Sequence, residues 1–146
     1  MGAIPPEPTQ ILDVDALMRL QEAVREVFVH HALVDYVVRV TMATRDPAGH
    51  GLEDVARWLS YGASPRATLG TVTAARALAL VRGRDYVVPQ DIVDVLPSVL
   101  RHRLVLTYDA LADEVTPDTV VRRLLEAVPL PQISAVPVQT GPTPSR

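Results

Sequence analysis

Residues 62–104 read GASPRATLGTVTAARALALVRGRDYVVPQDIVDVLPSVLRHRL, and the rest of the chain is best understood outward from them. The stretch opens with a helix-start signal: Ser64 is placed to be the N-cap, Pro65 fits the first helical position, and Arg66 follows at once. A cation there is electrostatically out of place, because the positive end of a helix dipole favours Asp or Glu. Unpaired N–H groups at a helix start, with a guanidinium beside them, suit an anion such as a phosphate seated between them. The competing reading is a capped helix start followed by an ordinary surface arginine. From these residues alone both readings stand.

The chain has 146 residues, enough for one domain with a core and short of two. Apolar residues make up 48% but aromatics only 4%, so small and branched side chains must fill the interior, which suits closely packed short helices. The absence of Cys excludes disulfides, thiolate metal sites and cysteine nucleophiles. All 14 basic residues are Arg; without Lys there is neither Schiff-base chemistry nor a G-x-x-x-x-G-K-[ST] phosphate loop. A net charge of −3 tells against nucleic acid as a partner. That charge is uneven: residues 62–104 carry six Arg against Asp85, Asp91 and Asp94, while the remainder sets eight Arg against fourteen acids. No run approaches the roughly 18 apolar residues of a membrane span, and MGAIPPEP is neither basic nor apolar enough for a signal peptide. The expectation is a cytoplasmic protein with no membrane partner.

Read in order, residues 1–12 carry Pro5, Pro6 and Pro8 and are expected to form an extended arm. Asp13 is an N-cap candidate for a helix over about 14–27, with Leu17, Leu20, Val24 and Val27 on its apolar face. A short extended break at 27–29 precedes a helix over about 31–45 carrying Leu33, Tyr36, Val37 and Val40. A short helix through Leu52, Val55, Ala56 and Leu59 delivers Trp58 and Tyr61 beside the turn at 62–66. The long helix 65–82 has Leu69, Val72, Ala75 and Ala79 as its apolar positions, Gly70 as a weak point and Gly83 as its stop. Pro89 opens the next helix, with Asp91 at the dipole-favoured third position, and Pro97 is expected to split that helix in two. Leu104–Leu106 is read as extended, and Thr116-Pro117-Asp118 starts a final helix with Val120, Val121, Leu124, Leu125 and Val128 inward. Residues 129–146 hold five Pro in 18 positions and are expected to be a disordered tail. The fold class is all-α, about five helices over 13–128, with 62–104 at its centre.

GASPRA, then AARALALVRGRDYVVPQDI, then VLRHRLVL, in this order and spacing, closely resembles the C-terminal helical lid of MoxR-type AAA+ ATPases. The resemblance continues upstream in DYVVRVTMATR at 35–45 and covers roughly 13–128. In that family a Gly-x-Ser-Pro-Arg turn opens the sensor 2 helix, and its Arg contacts the γ-phosphate of ATP. The resemblance therefore implies that Arg66 is the sensor 2 arginine, with Ser64 and Pro65 shaping its turn. Arg82-Gly83-Arg84, Val88-Pro89-Gln90-Asp91 and Leu100-Arg101-His102-Arg103 match other recurring pieces of mainly structural role. His30 and Val88 depart from the pattern, since Ser or Thr is expected at both places as a helix cap.

The family's nucleotide-binding domain, with its P-loop, its acidic Mg²⁺-holding residues and its arginine finger, is not in this sequence. One ATP contact out of many cannot assemble phosphoryl-transfer geometry, so the chain alone is expected neither to hydrolyse ATP nor to bind Mg²⁺. The implied partners are an AAA+ large domain in cis or trans, neighbouring subunits of a ring, and proteins of the von Willebrand factor A type. The alternatives are a non-enzymatic helical interaction module or a remnant without independent function. Elsewhere the chemistry is thin. His30-His31, His50 and His102 lack metal-ligand spacing, and Glu53-Asp54 and Asp113-Glu114 read as solvated pairs.

Overall fold

The computed structural model describes residues 9–133, and they fold almost wholly as helix. In chain order the elements are α1 (Val14–Glu26), α2 (His31–Ala43), α3 (Glu53–Trp58), β1 (Leu59–Tyr61), α4 (Arg66–Val81), α5 (Pro89–Leu100), β2 (Val105–Leu106), α6 (Tyr108–Ala112) and α7 (Pro117–Ala127), with 3-10 turns at Ala48–His50 and Arg101–Arg103. Among the described residues seven α-helices stand where about five were expected. The difference lies in α6, whose five residues are too few to show a period, and in counting α3 separately.

The core forms where α2, α4, α5 and α7 meet. Leu33, Tyr36, Val37 and Val40 of α2 are all fully buried, as their spacing predicts. They meet Ile92, Leu96 and Leu100 of α5 and Val120, Val121 and Leu124 of α7. The buried stripe of α4 is Ala67, Thr71, Ala75 and Ala79, one residue per turn. Its small side chains let α5 approach closely, as the Ala-rich composition of this helix implies. Leu69, expected among the inward positions, is 70% exposed, because the i+4 row of alanines and Thr71 turns that face outward.

α1 departs further from its period. It packs beside α4 yet buries none of its own residues, and Val14, Leu17, Met18 and Leu20 present an apolar face to the surface. Only Val27, just past its end, enters the core. The expected extended break follows: Phe28 N–H donates to Asp85 O at 2.8 Å and Val87 N–H to Phe28 O at 2.9 Å, a short parallel bridge to the loop before α5.

Pro97 does not split α5, which runs unbroken from Pro89 to Leu100. Ile92, Leu96 and Leu100 lie at i, i+4 and i+8 on both sides of it and are all fully buried. Burying three such side chains is worth about 1.5–3 kcal/mol each, which outweighs the roughly 3 kcal/mol that an interior proline costs. The expected extended piece at 104–106 is β2, antiparallel to β1, and Thr107 then caps α6 by accepting from Ala110 N–H at 3.2 Å. Beyond α7, Pro129 O accepts from Arg39 at 3.4 Å and Ile133 packs on the core, so residues 129–133 lie against the body. The rest of the expected tail, and residues 1–8 of the expected arm, fall outside the described residues.

Candidate functional site

The turn before α4 is set down on the end of α2. A Cβ at Gly62 would stand 2.1 Å from the carbonyl oxygen of Thr44, so only glycine fits. Ala63 is fully buried, and its N–H donates to the Thr44 hydroxyl at 2.9 Å. That hydroxyl in turn donates to Thr41 O at 2.6 Å, and the Thr68 hydroxyl of α4 reaches the Thr41 hydroxyl at 3.1 Å.

The expected Ser64 side-chain cap is not made. Pro65 is already helical at φ −55°, ψ −20°, so the helix tightens one residue early. Ala67 N–H donates to Ser64 O at 2.8 Å and Thr68 N–H to Pro65 O at 3.1 Å, a 3-10-like start that uses up two of the orphan donors. Arg66's own N–H keeps no backbone partner among the described residues. What remains open to an anion is therefore the Arg66 side chain together with its own N–H, fewer donors than the sequence motif alone implies.

Arg66 is exposed and makes no hydrogen bond or ion pair among the described residues. Arg45, directly after Thr44, is likewise exposed and unpaired among them. Three of the five other arginines of the central stretch behave differently; Arg76 and Arg103 also make no hydrogen bond or ion pair among the described residues, but they are half-buried with their Nε atoms enclosed. Arg84 grips Asp91 bidentately at 2.6 and 2.7 Å, and Arg82 bridges Asp91 at 2.8 Å and Asp94 at 2.6 Å. Arg101 holds Asp118 at 2.8 Å, joining the end of α5 to α7. These are structural ties, in keeping with the sequence reading.

Asp91 is the residue whose weight the sequence hid. Its place as the third residue of α5, in the first turn, marks it as a dipole partner, yet it is fully buried and is the hub of the α4–α5 joint. Besides both arginines it accepts from Val88 N–H at 2.9 Å, and so supplies half of a capping box where Val88 has no acceptor. Burial pushes its carboxyl up, but the hydrogen bonds from Arg84, Val88 N–H and Arg82 outweigh burial and hold it below the usual carboxylate range. The missing cap at His30 is also made good, since its Nδ1 accepts from Ala32 N–H at 3.2 Å.

The acidic pairs read as solvated each divide. Asp54 takes the Nε of Arg123 at 2.8 Å, and Asp113 receives Arg57 and the Trp58 indole N–H, while Glu53 and Glu114 stay exposed. Trp58 thus serves the α3–α6 contact, and it is Tyr61, 73% exposed, that stands next to the Gly62 turn. Among the described residues no cluster of three or more His, Asp or Glu has the geometry to hold a metal ion. Two shallow clefts, of about 320 and 590 Å³, lie at Pro97 against α7 and at Ser60 against α6; neither includes Arg66.

The AAA lid domain family model matches residues 53–124. The chain is 61% identical to Chaperone MoxR1 of Mycobacterium tuberculosis, over 99% of its own length and 38% of that protein's. It is 34% identical to Protein MoxR of Methylorubrum extorquens, over 83% of this chain and 37% of that one. The crystal structure of a candidate ATPase from Cytophaga hutchinsonii superposes with a TM-score of 0.78 at 32% identity, covering 81% of this chain and 36% of the other. The chain therefore spans well under half the length of the relatives it matches. It belongs to the MoxR family of AAA+ proteins and carries the lid domain of that family.

Proposed function

We propose that the chain acts as the lid of a MoxR-type AAA+ ATPase and that Arg66 is its sensor 2 arginine, reading the γ-phosphate of ATP held by a large domain. The observation that carries this reading is Arg66 itself. It is the one cation at a helix start in the central stretch, exposed and unpaired among the described residues, while Arg82, Arg84 and Arg101 are each committed to a carboxylate. An unneutralised guanidinium with a free N–H at its root fits a phosphate oxygen.

ATP supplies a terminal phosphate whose charge is there before hydrolysis and gone after it. A charge-assisted hydrogen bond to such a group is worth about 1.5–3 kcal/mol, enough to bias a two-state domain orientation by roughly 10- to 150-fold. Arg66 stands on α4, which α2 and α5 hold through the threonine contacts and the Asp91 hub, so a pull on Arg66 moves these helices as one body. Ser64 and Pro65 contribute by shaping the turn that starts the helix early.

The large domain is the first partner, in cis or in trans, and Mg²⁺ belongs to its side of the site. The exposed apolar face of α1, and Leu69 one turn on from Arg66, favour protein surfaces lying against the lid. Ring neighbours, chaperone-like work and von Willebrand factor A-type clients are carried by family membership alone. A chimaera of M. tuberculosis MoxR1, with this chain in place of the region it matches, tests the reading by phosphate release. The chimaera is expected to turn over ATP and its Arg66→Ala form to lose at least about 100-fold; equal turnover by both would overturn the assignment.

A further inference from the structure

We infer that the Thr44 hydroxyl is a positioning residue for Arg66, fixing the aim of the sensor from the opposite helix; this rests on the reading of Arg66 given above. The Arg66 side chain is exposed and touches no polar partner among the described residues, so nothing downstream of its Cβ steers it. Its direction is inherited from the backbone on which it stands. That backbone is tied to the domain just ahead of Arg66 at one polar point, the Ala63 N–H donated to Thr44 Oγ1 at 2.9 Å. Gly62 pressed on the Thr44 carbonyl and the full burial of Ala63 make the joint close-packed as well as hydrogen-bonded.

Thr44 can serve in this way because its own rotamer is locked. It is 1% exposed, and its hydroxyl spends its proton on Thr41 O at 2.6 Å, which leaves its lone pairs facing Ala63. Thr41 is engaged a second time by the Thr68 hydroxyl, half a turn past Arg66 on α4. The last turn of α2 therefore brackets Arg66 through three threonine hydroxyls, one contact before it and one after. Valine is nearly the same shape as threonine but leaves Ala63 N–H buried without an acceptor. The turn must then swing to find water, and Arg66 swings with it.

The test titrates ¹⁵N-labelled chain with inorganic tripolyphosphate and follows the Arg66 Nε–H and the amides of residues 66–68, with the thermal midpoint recorded for each variant. The wild-type chain is expected to show saturable shifts confined to those groups, and Arg66→Ala to remove them. Thr44→Val is expected to weaken the affinity about five- to tenfold, and Thr44→Ser, which keeps the hydroxyl, to restore it. A role in stability alone would lower the midpoint of Thr44→Val and leave the affinity of its folded fraction unchanged, which overturns the inference. If Thr44→Val does not fold, Thr68→Val decides, since it removes the second threonine contact beside Arg66 at a half-buried position and strands no buried amide; an unchanged affinity there is equally fatal. Tripolyphosphate shifts that survive Arg66→Ala, or that the wild type never shows, overturn the Arg66 reading itself and not merely the part assigned to Thr44.

Discussion

Replacing Asp91 by Ala removes the acceptor for four hydrogen bonds in one step: one from Arg82, two from Arg84 and one from Val88 N–H. Breaking a buried ion pair by deleting one partner costs about 3–5 kcal/mol, because the other charge is stranded. Here the stranded partners have an escape, since the Arg82 and Arg84 side chains are 40% and 22% exposed and can rehydrate. The lower end, about 3 kcal/mol, is therefore expected. Against a total stability of about 5–15 kcal/mol this is a large share. With a urea slope of about 1–3 kcal/mol per molar, the unfolding midpoint should fall by about 1–3 M. The pH dependence carries a second signature. Because the folded carboxyl titrates below its unfolded value, the contribution is fully present above about pH 4 and is lost as acid carries the pH down through the folded value. Asp91→Asn should cost less than Asp91→Ala and should flatten this acid limb of the stability curve. The reasoning is refuted if Asp91→Ala unfolds within about 0.5 kcal/mol of the wild type, or if Asp91→Asn leaves the acid limb as steep as before.

Two glycines should respond in opposite directions. A Cβ at Gly70 meets Val99 at an ordinary 3.6 Å, so Gly70→Ala should gain up to about 1 kcal/mol, whereas Gly83 stands at φ +73° and Gly83→Ala should lose about 1 kcal/mol. Urea titrations of both settle the signs, and a loss at Gly70 would mean that the α4–α5 contact is tighter than 3.6 Å implies. Pro97→Ala should raise the thermal midpoint, corresponding to about 1–3 kcal/mol, since burial of Ile92, Leu96 and Leu100 already holds α5 together without help from the ring. A fall in the midpoint would show instead that Pro97 is needed where it packs against α7.

The helical class, the α2 and α7 cores and the place of the Arg66 turn were legible because each is written in local periodicity or in a dense motif. Leu33, Tyr36, Val37 and Val40 lie on one helical stripe, and all four are buried. What stayed hidden depends on contacts distant in sequence. α1 has a regular apolar face and buries none of it, because periodicity names a face without naming what covers it. The first turn of α6 is Thr107-capped but too short to carry a period. Pro97 misled because the rule for interior proline weighs one backbone bond, while three buried neighbours decided the outcome. At the site, Arg66 was legible as an out-of-place cation. The Thr44 contact was not, since no sequence rule links a hydroxyl at the end of one helix to an amide 19 residues on. Asp91 showed its dipole role and hid its burial, although two arginines seven and nine positions before it were a usable signal.

The claim that Arg66 reads a terminal phosphate is tested most directly by comparing ATP with ADP. In the MoxR1 chimaera, with turnover blocked by a non-hydrolysable ATP analogue, Arg66→Ala should weaken the triphosphate about 10-fold or more. Binding of ADP, which lacks the group Arg66 is assigned to touch, should change by less than about twofold. A variant that weakens both nucleotides equally, or neither, contradicts the account.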